Sequence, residues 1–226
     1  MTEVERQGLP DIDEVQGLEA ALRGWNNVGE QVVLVALPRP GHHHGMPSGP
    51  VDLLAAAQAA EEVIFVPGVG GALVPRVSSF GPAGDQGWRV DWQPYSCDPM
   101  PRHVVQAMSV SEVELRLRTT VAQLTDQLSL TPGTPMAGAA AELSARRGVH
   151  DAWGMPPGLP RRCVKVVELA GSVLHLSDLG LAEGMQSVDS ASTTAREALL
   201  RQLRDEAASA LATATNVAAL SYAGWA

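Results

Sequence analysis

The sequence predicts an α+β fold: a small mixed sheet of about four strands with helices packed on it in the N-terminal half, followed by a helical C-terminal layer. Three observations lead there. Short, continuous apolar runs bounded by turn residues crowd residues 1–108. Clusters of glycine and proline separate those runs. From Ser109 onward, apolar residues recur at helical spacing instead. With 226 residues, 45% hydrophobic and 18% charged, the chain can bury a real core and does not fit a disordered or fibrous class.

Taken in order, Ile12 to Trp25 reads as a helix, because Val15, Leu18, Leu22 and Trp25 recur every three to four residues, and Gly29 stops it. Gln31 to Leu37 is an apolar run that fits a covered strand. A loop spans Pro38 to Pro50, Val51 to Ala60 is helical in pattern, and Glu62 to Val66 is a second strand. Strand, helix, strand predicts a right-handed parallel crossover. Beyond Pro67, glycine turns set off Ala72 to Val77 and Trp88 to Tyr95, which read as added antiparallel strands. Pro94, Pro99 and Pro101 close this part.

The helical part opens with Ser109-Val-Ser-Glu112, a capping-box pattern, and continues in a stripe of Val113, Leu117, Val121, Leu124 and Leu128. Thr131 to Pro135 interrupts it. A shorter helix is expected over Met136 to Arg147, a linker over Gly154 to Pro160, and two more helices at Pro160 to Leu176 and from Thr194 to Ala219, with Glu197 completing a second capping box. Residues 1–108 and 109–226 are thus the expected parts, packed as one globular unit. Leu200, Leu203, Ala207, Leu211, Ala214 and Val217 form a narrow stripe suited to close helix packing, within the chain by default and across a homodimer axis as the alternative.

Ala36-Leu-Pro-Arg-Pro-Gly41 after a strand, Leu73-Val-Pro-Arg-Val77 after a glycine turn and Pro156-Pro-Gly-Leu-Pro160 before the closing helices resemble an uncharacterised family of actinobacterial proteins. The likeness runs from about residue 18 to 220. It implies one shared architecture and a bacterial cytoplasmic origin, and it carries no activity with it.

A formal charge of -9 and a pI near 5.1 repel phosphate backbones and anionic lipid, so neither nucleic acid nor a membrane is an expected partner. Lys165 is the one lysine and has no glycine-rich loop before it, which excludes a P-loop. The most apolar window, Val164 to Leu181, carries Lys165, Glu168, His175 and Asp178 and reads as a buried helix. Cys97 and Cys163 stand far apart and are expected to be reduced in a cytoplasmic protein.

Four candidate constellations stand out. His42-His-His44 puts half of the histidines in one loop. In extended backbone His42 and His44 share a face and supply two ligands, with His103 as the third for zinc or another divalent metal. The plainer alternative is a solvated run. Val66-Pro-Gly-Val-Gly-Gly71 resembles a phosphate cradle, with Gly70 and Gly71 as candidate ligand-binding residues, but it is followed by a strand, which favours a hairpin turn. Trp88 to Tyr95 alternates so that Trp88, Val90 and Trp92 share one face and Arg89 and Asp91 the other. Such a face is ordinarily core; as a site, Trp88, Arg89 and Trp92 would bind a ligand. Ser172 and His175 are one helical turn apart, without an orienting acid or oxyanion donor.

With no complete catalytic constellation, the expected function is a non-enzymatic cytoplasmic protein that binds a partner protein or small ligand, without a cofactor. The alternatives are a metal-dependent hydrolase or lyase using the His42–His44 loop, and a regulator acting through the last helix.

Overall fold

The computed structural model describes residues 17–82, 84–130, 155–182 and 190–225. They fall into two units, residues 1–108 with 223–226 and residues 109–222. In chain order the first unit holds α1 (Leu18–Asn27), β1 (Leu34–Ala36), α2 (Val51–Ala60), β2 (Val63–Val66), β3 (Gly71–Phe80), β4 (Gly87–Ser96) and α3 (Arg102–Gln106). The second holds α4 (Val110–Leu130), α5 (Arg161–Ala182) and α6 (Ser190–Tyr222). The fold is α+β.

The four strands lie in the order β1-β2-β3-β4, and every neighbouring pair is antiparallel. The sheet is therefore not mixed, and the parallel crossover expected between β1 and β2 does not form. The reason lies in the connection. The loop after Ala36 is long enough to carry the chain one way, and α2, ten residues and roughly 15 Å long, brings it back. Glu61 then turns the chain into β2 in a left-handed conformation, φ 58°. Arg39, only 6% exposed, holds the two ends together, its guanidinium donating to the Glu61 carbonyl at 2.9 Å and lying 3.2 Å from the Glu61 carboxylate.

Register assigns the faces. Val35, Ile64, Leu73 and Pro94 lie in line, so they share one face with Val66, Pro75, Val77, Trp88, Val90 and Trp92. α1 covers the sheet end of that face: Ala21 and Trp25 are buried with Val66 and Leu73, and Val33, Ile64 and Trp92 pack around them. On the opposite face Leu34, Ala36, Val63, Phe65, Ala72 and Val74 are all buried, and α2 packs against β3 through buried Leu53 and Ala57. Gly29, φ 97°, ends the α1 segment as its position in the sequence indicates.

In the second unit, α4, α5 and α6 pack pairwise around Val113, Leu117, Leu124, Cys163, Val166, Ala170, Ala207, Ala210 and Ala214. The alanine-rich stripe of α6 is thus used within the chain, where small side chains allow close approach. The rim is laced with ion pairs. Arg162 and Arg118 both reach Glu114, Arg116 reaches Glu206 and Ser209, and Arg204 lies 3.7 Å from Asp178. The Ser109 hydroxyl accepts the Glu112 amide at 3.3 Å, which is the serine half of the capping box read from the sequence. The second capping box does not form: α6 begins at Ser190, so Thr194 lies inside it, and Glu197 pairs with Arg201 at 2.6 Å. The helix expected at Met136 to Arg147, its preceding linker and residues 12–16 lie outside the described residues.

Candidate interaction site

The β3–β4 hairpin is longer than the rest of the sheet. β2 pairs with β3 only from Gly71 to Leu73, whereas β3 and β4 stay paired from Gly71–Ser96 to Phe80–Gly87. The outer half is therefore a two-stranded arm, and α1 covers only its base. Trp92 is half-buried there, but along the same face Val77, Trp88 and Val90 are 59%, 70% and 45% exposed. The alternation read from the sequence is correct, and the expectation that this face is core holds only for Trp92. On the reverse face Arg89 pairs with Asp91 at 2.8 Å, and the Phe80 ring lies over Gly87, where a Cβ would come within 2.5 Å of it. Val77 completes the exposed patch, and Phe80, 59% exposed, stands on the reverse face.

The glycine turn is a different place. Gly71 pairs with Ser96, eight residues from Trp88 along β4, or roughly 26 Å. Gly70 and Gly71 therefore do not join Trp88, Arg89 and Trp92 in one pocket. The turn is the β2–β3 hairpin connection, and its anion-facing amide is already engaged. The Val69 N–H donates to the carboxylate of Glu30, which is buried, and a Cβ on Gly68 would meet that same carboxylate at 2.4 Å. Gly70, φ 74°, sits against residues 97–99: a Cβ there would lie 2.2 Å from the Cys97 carbonyl oxygen. Glu30 had no sequence signal, being a single acid 39 residues from its partner.

Next to the turn is a cleft of about 390 Å³ lined by Pro67, Gly68, Pro99, Met100, Arg102, Val105 and Trp225. The Arg102 guanidinium stands 5.5 Å above the Trp225 ring, a cation–π arrangement that occupies its one charged group.

The histidine loop places the His42 and His44 rings 6.4 Å apart, tilted by 45°, with the His43 ring against Gln58. His103 lies on α3. Among the described residues no group of three or more His, Cys, Asp and Glu is placed to hold a metal ion, so the expected trio of His42, His44 and His103 is not brought together. Two nearby imidazoles alone are short of the three or four ligands that zinc takes. Cys97 and Cys163 are both buried free thiols. Burial, reinforced by the negative charge of Asp98, pushes the Cys97 thiol up to about 12, and burial raises that of Cys163. Both are therefore poor nucleophiles near neutrality. Ser172 donates to the Glu168 carbonyl of its own helix at 2.8 Å, the bland use of a mid-helix serine. No helix among the described residues is long and apolar enough to cross a membrane.

Comparison with known proteins agrees with this division of the chain. No curated protein and no solved structure matches it. Residues 1–107 match the family described as Rv1486c-like protein, N-terminal domain, and residues 111–212 match Rv1486c-like protein, C-terminal domain. Together they span nearly the whole sequence, and the chain belongs to the Rv1486c-like protein family.

Proposed function

We propose that this chain is a non-catalytic cytoplasmic protein whose task is to bind another protein through the β3–β4 arm. The observation that carries the reading is the change along a single strand face. Trp92 is packed under α1, and two and four residues further out Val90 and Trp88 stand in solvent. Contiguous exposed apolar surface of this kind marks an interaction site, and tryptophan is a preferred anchor in such sites. A flat strand face suits a protein surface better than a small molecule, which needs a concavity. The net charge of -9 disfavours nucleic acid as the occupant. Two features that resembled chemistry are used internally: the glycine turn is filled by Glu30, and Ser172 bonds its own helix.

The test is the size of the native protein in fresh cell extract. The wild-type chain should elute well above its 23.7 kDa mass, and Trp88→Ser should shift it downward without loss of fold. Elution of both at the monomer position would refute the reading.

A further inference from the structure

The outer edge of β4 has a pattern that its neighbours lack. β4 is an edge strand of ten residues. Two prolines decide which of its backbone groups face outward. Pro75 is opposite Trp92, and Pro94 is opposite Leu73. Proline has no N–H, so both positions belong in non-hydrogen-bonded pairs of the β3–β4 ladder, and every second residue of β4 shares that state. The N–H and C=O groups of Trp88, Val90 and Trp92 consequently point away from β3. Among the described residues no backbone hydrogen bond outside the regular elements reaches residues 87–96. Natural edges are usually blunted by lysine, proline or a bulge. Here Pro94 guards one end, and from Trp88 to Trp92 the edge has no proline and only the mutually paired charges of Arg89 and Asp91.

That stretch reads Trp-Arg-Val-Asp-Trp, and it is self-complementary under a twofold axis. We propose that two copies of this chain join through their β4 edges, antiparallel about an axis at Val90, so that their arms form one four-stranded ribbon. Val90 then opposes the partner's Val90, Trp88 opposes the partner's Trp92, and Arg89 opposes the partner's Asp91. The outward N–H and C=O groups of Trp88, Val90 and Trp92 supply the ladder, and neither proline falls within it. Arg89 and Asp91 fall in the non-hydrogen-bonded pairs, where side chains come closest. All four tryptophans share one face, so each exposed Trp88 continues the apolar cluster that α1 makes around Trp92. An axis at Arg89 or Asp91 would set like charges opposite each other and lose both charge pairs, and slipping the pairing by one residue would set unlike faces together. This proposal rests on the reading of the arm as an interaction surface and names its occupant as a second copy.

The experiment uses purified full-length chain, sized by sedimentation and native mass spectrometry across the micromolar range. The wild type should be a dimer. Val90→Pro should be monomeric, because it removes an outward donor and leaves the β3 ladder intact. Arg89→Asp and Asp91→Arg each place like charges across the axis, and each should weaken self-association about tenfold. Mixed together, these two charge variants should pair with each other in preference to themselves, as the Val90-centred register requires. Circular dichroism of each exposed-site variant reports the fold. A monomeric wild type, or a dimer indifferent to all three substitutions, overturns the proposal. A monomeric purified chain that still elutes in a Trp88-dependent complex from extract would overturn this inference alone and leave the arm a binding surface for a different protein.

Discussion

The Arg39 guanidinium ties the segment just after β1 to the residue just before β2, donating to the Glu61 carbonyl at 2.9 Å while lying 3.2 Å from the Glu61 carboxylate. Antiparallel neighbours joined through a loop and a helix must begin and end the connection at the same end of the sheet, and this contact closes that circuit. Arg39→Met should therefore destabilise the first unit by about 1–3 kcal/mol, the cost of losing a buried charged hydrogen bond. Glu61→Gly should stay within about 1 kcal/mol of the wild type, because glycine relieves the left-handed backbone while the carboxylate contact is lost. Urea unfolding followed by tryptophan emission measures both, since Trp25 and Trp92 report on this unit. A neutral Arg39→Met would show that the contact does not hold the connection.

The β2–β3 turn makes a sharper demand. Gly70→Ala must accommodate a Cβ 2.2 Å from the Cys97 carbonyl oxygen at φ 74°, and backbone cannot yield as a flexible side chain can. The expected loss is about 2 kcal/mol or more. Gly68→Ala meets the Glu30 carboxylate instead, and combining it with Glu30→Ala should recover part of its cost. Additive losses in that double variant would contradict the packing described.

The direction of β2 was not legible in the sequence, although its residues were. Apolar runs encode burial, and a run such as Val63 to Val66 reads the same in either direction; what decided the outcome was a loop length and one buried arginine. Likewise, alternation placed Trp88, Val90 and Trp92 on one face, but a face does not announce whether another element covers it. The Ser109 cap was legible because its bond is local. The Thr194 pattern misled because the same spacing also occurs inside a helix, where Glu197 found Arg201 instead.

Both thiols should be silent in the native state. Their raised values mean that the stability due to burying them neutral is fully present below the unfolded thiol value near 9 and is lost as pH rises toward about 12 for Cys97. An aromatic disulfide reagent at mildly alkaline pH should titrate two thiols in urea and almost none without it. Rapid labelling of the folded chain would contradict the burial.

Glu114 gives the opposite dependence. Its hydrogen bond to Arg162 leads the causes that hold its carboxyl below the usual carboxylate range, with Arg118 adding to it. That contribution is present above the ordinary carboxylate value and is lost as pH falls through the lowered one. Glu114→Gln should lower the melting temperature of the helical unit near neutrality, and the deficit should shrink as pH falls below the ordinary carboxylate range. A constant deficit would assign the effect to packing instead of charge.

The central claim is that the outer face of the β3–β4 arm is covered by protein in the cell. The most direct measurement places photoactivatable benzoylphenylalanine at position 88 of the chain in living cells, with the exposed α4 position 119 as control. Irradiation should give a protein–protein adduct from position 88 and none from 119. An arm that stays uncrosslinked at position 88 would contradict the account.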